Sequence, residues 1–123
     1  MADELKRVGL VFKADGTVNF KKSLQEINTV VMENKNAFNL AKSAWDESTT
    51  SIQKLTDRQK FLASQTDAYK NKVSVLEEEL NALKEAENRN EQAIRKKHNQ
   101  LTQAQIQLGK YEKDLGTVTH ELE

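Results

Sequence analysis

Two histidines, His98 and His120, are the side chains best placed to carry a proton near neutral pH, and 19 Asp and Glu residues supply carboxylates. Catalysis or metal binding would need these groups at set spacings, such as HExxH, or beside a nucleophile on a GxSxG turn. Neither spacing occurs, nor does GxGxxG or the phosphate-cradling GxxxxGK[ST]. The sequence has no cysteine, which removes disulfides and thiolate metal sites. His98 and His120 stand apart from one another, and His98 reads as a solvated flank residue of a helix. The run Glu77-Glu78-Glu79 reads as a solvated face. The expectation is a chain that is no enzyme and holds no cofactor or metal, and whose chemistry is contact.

The elements behind that contact follow a seven-residue period. The first seam position (a) repeats through Leu24, Val31, Phe38, Trp45, Ile52, Val73, Leu80, Ile94, Leu101, Leu108 and Leu115. It is broken only by Gln59, Thr66 and Glu87. The position three residues on (d) holds Ile27, Ala41, Leu55, Leu62, Tyr69, Leu76, Leu83, Ala104, Tyr111 and Val118, broken by Asn34, Ser48, Asn90 and Lys97. Only 37% of the chain is hydrophobic, so one apolar frame over residues 24–118 marks helices that bury a narrow stripe against other helices. No proline interrupts it. The expected fold class is all-α, with long heptad-repeat helices forming a coiled coil and a short β-strand or hairpin at the start. Residues 1–20 make the β element and turn, 21–118 the helical region, and 119–123 a tail. Leu122-Glu123 matches what a cloning site leaves, and the chain is expected to be an amino-terminal fragment.

Net charge is zero, with 19 basic and 19 acidic residues intermixed, so no basic stripe tracks phosphates and direct nucleic-acid binding is not expected. No run approaches the ~18 apolar residues that cross a bilayer, so no membrane partner is expected for this segment. Val8, Leu10 and Phe12 alternate by two, as in a strand, before an Asp15-Gly16 turn, and could dock on a partner's sheet. Val18 and Phe20 alternate after the turn. A competing start places the helix at Asn19 as N-cap.

Bulky Phe38 and Trp45 suit core packing in a wider bundle, a chain folding back, or a docking surface. The sequence DESTTS at residues 46–51 lowers helix propensity, and Asp46 or Ser48 could cap a second helix. Trp45 and Ile52 nevertheless keep the frame, and continuity is the reading adopted. An unbroken helix over residues 24–108 would measure roughly 130 Å. Glu87, Asn90 and Lys97 weaken the seam over residues 87–97, predicting fraying or a hinge. Gly109 and Gly116 allow the helix to end anywhere from Gly109 on. Lys72 with Glu77, and Glu79 with Lys84, are spaced for pairing between parallel chains. The stripe is therefore expected to join copies of the chain, with three favoured over two because aromatic and polar layers dilute the dimer pattern.

Three stretches carry a family likeness. KRVGLVFKADGTVNFKKSLQEIN (residues 6–28), NAFNLAKSAWDESTTSIQKL (36–55) and DRQKFLASQTDAYKNKVSVLEEEL (57–80) resemble the amino-terminal region of tape measure proteins of long, non-contractile phage tails and prophages. The resemblance implies a structural protein of tail assembly that sets tail length and nucleates tube assembly. It implies tail-tube, tail-tip and tail assembly chaperone proteins as partners. It implies a place inside the tail tube of the virion after assembly in the bacterial cytoplasm. The alternatives are a cytoplasmic coiled-coil scaffold or adaptor, and a helical holdase chaperone covering clients with exposed seam residues.

Overall fold

The computed structural model describes residues 10–123 and is all-α. Helix α1 spans Phe20–Ser43, α2 Ser51–Glu85 and α3 Glu91–Leu122. The chain reverses after α1 and again after α2. The continuous rod expected from the period is therefore not formed. Its longest element, α2, has 35 residues and measures roughly 50 Å.

The first reversal explains why the frame misled. Residues 44–50 lie between Ser43 and Ser51, and seven residues is one heptad, so the loop removes a whole repeat and phase survives. Physically the stop is local. The Asp46 carboxylate accepts from the Ser48 N–H (2.8 Å) and the Ser48 hydroxyl (2.6 Å), which curls the chain away from a helix. These bonds, the Ser48 hydroxyl first, hold the Asp46 carboxyl below its usual range. The cap of α2 is Thr50, not Asp46 or Ser48. Its hydroxyl accepts from the Gln53 N–H while the Gln53 side chain accepts from the Thr50 N–H, satisfying two donors of the first turn reciprocally.

The weak seam resolves similarly. Residues 86–90 are the second turn, and Asn90 caps α3 by accepting from the Ala93 N–H. Glu87 is exposed in that turn. No end comes at Gly109 or Gly116: α3 runs on to Leu122, and open space surrounds both glycines.

At the start, the helix begins at Phe20 behind Asn19, and the described residues before it form an isolated bridge but no strand. A single antiparallel bridge pairs Phe12 with Val18 around Asp15-Gly16, where Gly16 takes φ +90° at no steric cost. The Asp15 carboxylate accepts from the Thr17 hydroxyl and N–H, and these bonds lower its pKa. Asn19 then caps α1 through the Lys22 N–H. The segment is tied down by Ser23, which is fully buried. Its hydroxyl accepts from the Val11 N–H (2.7 Å) and donates to the Asn19 carbonyl (2.8 Å). Ser23→Ala leaves the Val11 N–H without its acceptor, a loss of about 1–3 kcal/mol. Amide exchange at Val11 and Asn19 should quicken markedly while that of α3 stays as it was; unaltered exchange at Val11 would rule out this latch.

The core lies on two sides of α2. One cluster joins Leu76 and Leu80 of α2 to Ile94, Leu101 and Ala104 of α3. The other joins Ala68 and Val75 of α2 to Ile27 and Val31 of α1. No Cα of α1 comes within 8 Å of one in α3, so α2 is the shared spine.

Candidate functional site

The spine works because α2 carries two stripes. Toward α3 it presents the expected a/d set. Toward α1 it presents a second stripe at the c and g positions of the same heptad: Phe61, Gln65, Ala68, Lys72 and Val75, of which Gln65, Ala68 and Val75 are buried. With 3.6 residues per turn these stripes are roughly 110° apart around the helix. The outer helices therefore diverge instead of meeting, and the surface between them, formed by d and g residues of α2, faces an open groove.

At the end of α2 nearest its start, side chains fill this groove. Phe38 stacks on Phe61 (4.7 Å between centroids) and meets Trp45 edge-on. Phe61 meets Tyr111 edge-on, and Tyr111 lies 5.4 Å from Tyr69. The Trp45 indole N–H donates to Asp57 (2.9 Å). Gln65, fully buried, links all three helices: its Oε1 accepts from the Asn34 amide at 2.8 Å, and its Nε2 reaches the Tyr111 hydroxyl at 3.5 Å.

Further along, the groove opens into a cleft of about 810 Å³. Its floor is Tyr69, Lys72, Leu76 and Glu79; its walls include Lys21, Leu24 and Asn28 of α1 and Lys97, Gln103 and Ala104 of α3. Glu79 pairs with Lys97 across the floor at 3.0 Å, in place of the Glu79–Lys84 pairing between copies read from spacing. Lys97 also donates to Gln100 (2.9 Å). Lys72 has no such partner: among the described residues no carboxylate lies within 4 Å of its ammonium, which rests over the Tyr69 ring at 5.4 Å. Burial lowers the Lys72 pKa, and burial, then the neighbouring Tyr111, raises that of Tyr69.

The seam residues named from sequence fall largely inside this one chain. Ile27, Val31, Leu62, Leu76, Leu80, Ile94 and Leu101 are buried. Leu24, Phe38, Trp45, Leu55, Tyr69, Val73, Leu83, Leu108, Tyr111 and Leu115 are partly covered. Ile52 is 69% exposed. Most of the stripe is thus covered by its own chain. Of the docking-strand residues, Val8 lies outside the described residues, Leu10 packs against the α1–α2 cluster, and Phe12 is half-buried at the bridge. His98 and His120 are exposed and far apart along α3.

The second stripe and the groove escaped the sequence reading. The c/g register was its available signal, but two of its five members are Gln65 and Lys72, which read as surface. Among the described residues there is no cluster of three or more metal-ligating side chains, and no helix is long and apolar enough to cross a membrane. Compared with known protein families, curated proteins and solved structures, the chain matches none.

Proposed function

We propose that the chain is a structural, non-catalytic module of phage tail assembly, the amino-terminal part of a tape measure that sets tail length and nucleates tube assembly. The observation that carries this reading is the use made of apolar surface. The buried apolar side chains of all three long helices lie at contacts between neighbouring antiparallel helices, and the polar breaks of the stripe, Thr66 apart, fall at turns or at cross-helix polar contacts. The residues that resemble tape measure openings supply the setting. In that setting the partners are tail-tube, tail-tip and assembly chaperone proteins, and the place is the tube interior after assembly in the host cytoplasm. The a/d contact between α2 and α3 acts as an antiparallel coiled coil, and residues 12–18 as a small hairpin. Helical rise converts residue count into distance, which suits a ruler.

The test is an in-frame deletion of residues 20–122 in a phage or prophage carrying the gene, with tail length read by electron microscopy. A module folded as here shortens the tail by roughly 50 Å; the same residues drawn out as one helix shorten it by roughly 150 Å. Tails of unchanged length, assembled in normal number, would end the proposal.

A further inference from the structure

The two-stripe logic of α2 leaves a matching stripe unmet on α1. At the c and g positions of α1 stand Glu26, Val30, Glu33, Ala37 and Leu40, all exposed, Val30 by 44% and Leu40 by 74%. On α2 this register faces another helix; on α1 it faces solvent. The stripe is apolar with two carboxylates one heptad apart. The groove is its complement. Leu24 and Tyr69, each partly exposed, give it apolar surface above the buried Leu76 and Ala104. Lys97 is already paired with Glu79, while Lys72 and the rim residue Lys21 have no carboxylate partner among the described residues.

We propose that the groove of one copy receives α1 of a second copy, whose Glu26 and Glu33 meet Lys72 and Lys21, so that a fourth helix completes the bundle. The occupant is a copy of this chain because its own exposed stripe brings an apolar residue, Val30, between two carboxylates, Glu26 and Glu33, to a groove whose Lys72 and Lys21 are without carboxylate partners among the described residues. On α1 the groove-facing residues Lys21, Leu24 and Asn28 lie on the side away from the c/g stripe. One helix can thus bound its own groove and enter a neighbour's. Such contact is head-to-tail, so association continues beyond a pair. This self-docking stands apart from the tail setting, and the two tests fail separately.

The experiment is sedimentation equilibrium of the full chain from micromolar to millimolar concentration. Mass should climb above 14.0 kDa as concentration rises. Glu26→Lys/Glu33→Lys, or Lys21→Glu/Lys72→Glu, should each weaken association at least tenfold, with helicity and melting unchanged as the check on folding. Combining all four changes in one chain should restore most of the lost association, because each new charge meets its opposite. A single-chain mass at every concentration would overturn the proposal and leave the groove to a different protein. Association untouched by either pair of changes, or not regained by combining them, would overturn it in favour of another surface.

Discussion

Leu76→Ala is expected to remove about 2–5 kcal/mol of stability, the range for a buried leucine cut to alanine. Leu76 is 1% exposed and packs with Leu80, Ile94, Leu101 and Ala104, so its loss opens a void between α2 and α3. A domain of this size has about 5–15 kcal/mol in total. The urea midpoint, followed by far-UV circular dichroism, should therefore fall steeply. The effect should not depend on protein concentration, since the void lies within one chain. A midpoint that moves little, or that recovers as protein concentration rises, would mean that the α2–α3 contact forms between copies, and the intrachain reading would fail.

The second large effect concerns Gln65. Gln65→Leu fills the same space but leaves the half-buried Asn34 amide without its acceptor, a loss of about 1–3 kcal/mol. Asn34→Leu alone should also destabilise, by stranding the Gln65 carbonyl. The double variant removes both ends of the bond together and should regain much of the loss, with a coupling of about 1 kcal/mol or more. Tyr111→Phe removes a contact at 3.5 Å, too long to hold much energy, and should cost less than ~0.5 kcal/mol. Denaturant melts of the four chains decide the matter. Strictly additive single losses would show that Gln65 is held by packing and not by its bond to Asn34.

The helices were legible in the sequence because their signal is redundant. Leu76, Leu80, Ile94 and Leu101 sit in one frame, and residue type alone places them inside. The partner of that stripe was not legible. A heptad seam reads the same whether its complement lies on another copy or on the same chain after a turn. The Asp46–Ser48–Thr49 cluster was visible as a weak point, but an interruption of seven residues leaves the count undisturbed. Polar residues on the stripe were visible only as defects. In the fold Asn90 is a cap, Lys97 an ion-pair partner, Asn34 a donor to Gln65, and Gln59 a donor to Thr119 at 3.1 Å. The last three of these roles depend on what the fold brings opposite, which no local window contains; the Asn90 cap is local, made to Ala93 three residues on. The groove was least legible of all. It exists because two stripes on α2 diverge, and one of them includes residues that hydropathy assigns to water.

Leu10 and Phe20 pack against the cluster of Ile27, Val31, Ala68 and Val75, whereas Thr119 bonds Gln59, roughly 13–24 Å from Ala68 and Val75 along the spine. Tension drawn along the bundle axis from these two places would slide α1 and α3 lengthwise against α2, loading whole interfaces in shear. Antiparallel helices gripped in this way yield all along their length together, not one turn at a time. Once they yield, the polypeptide can pay out to several times its resting span. A segment built like this is a stiff strut under small loads and an extensible tether beyond its yield force.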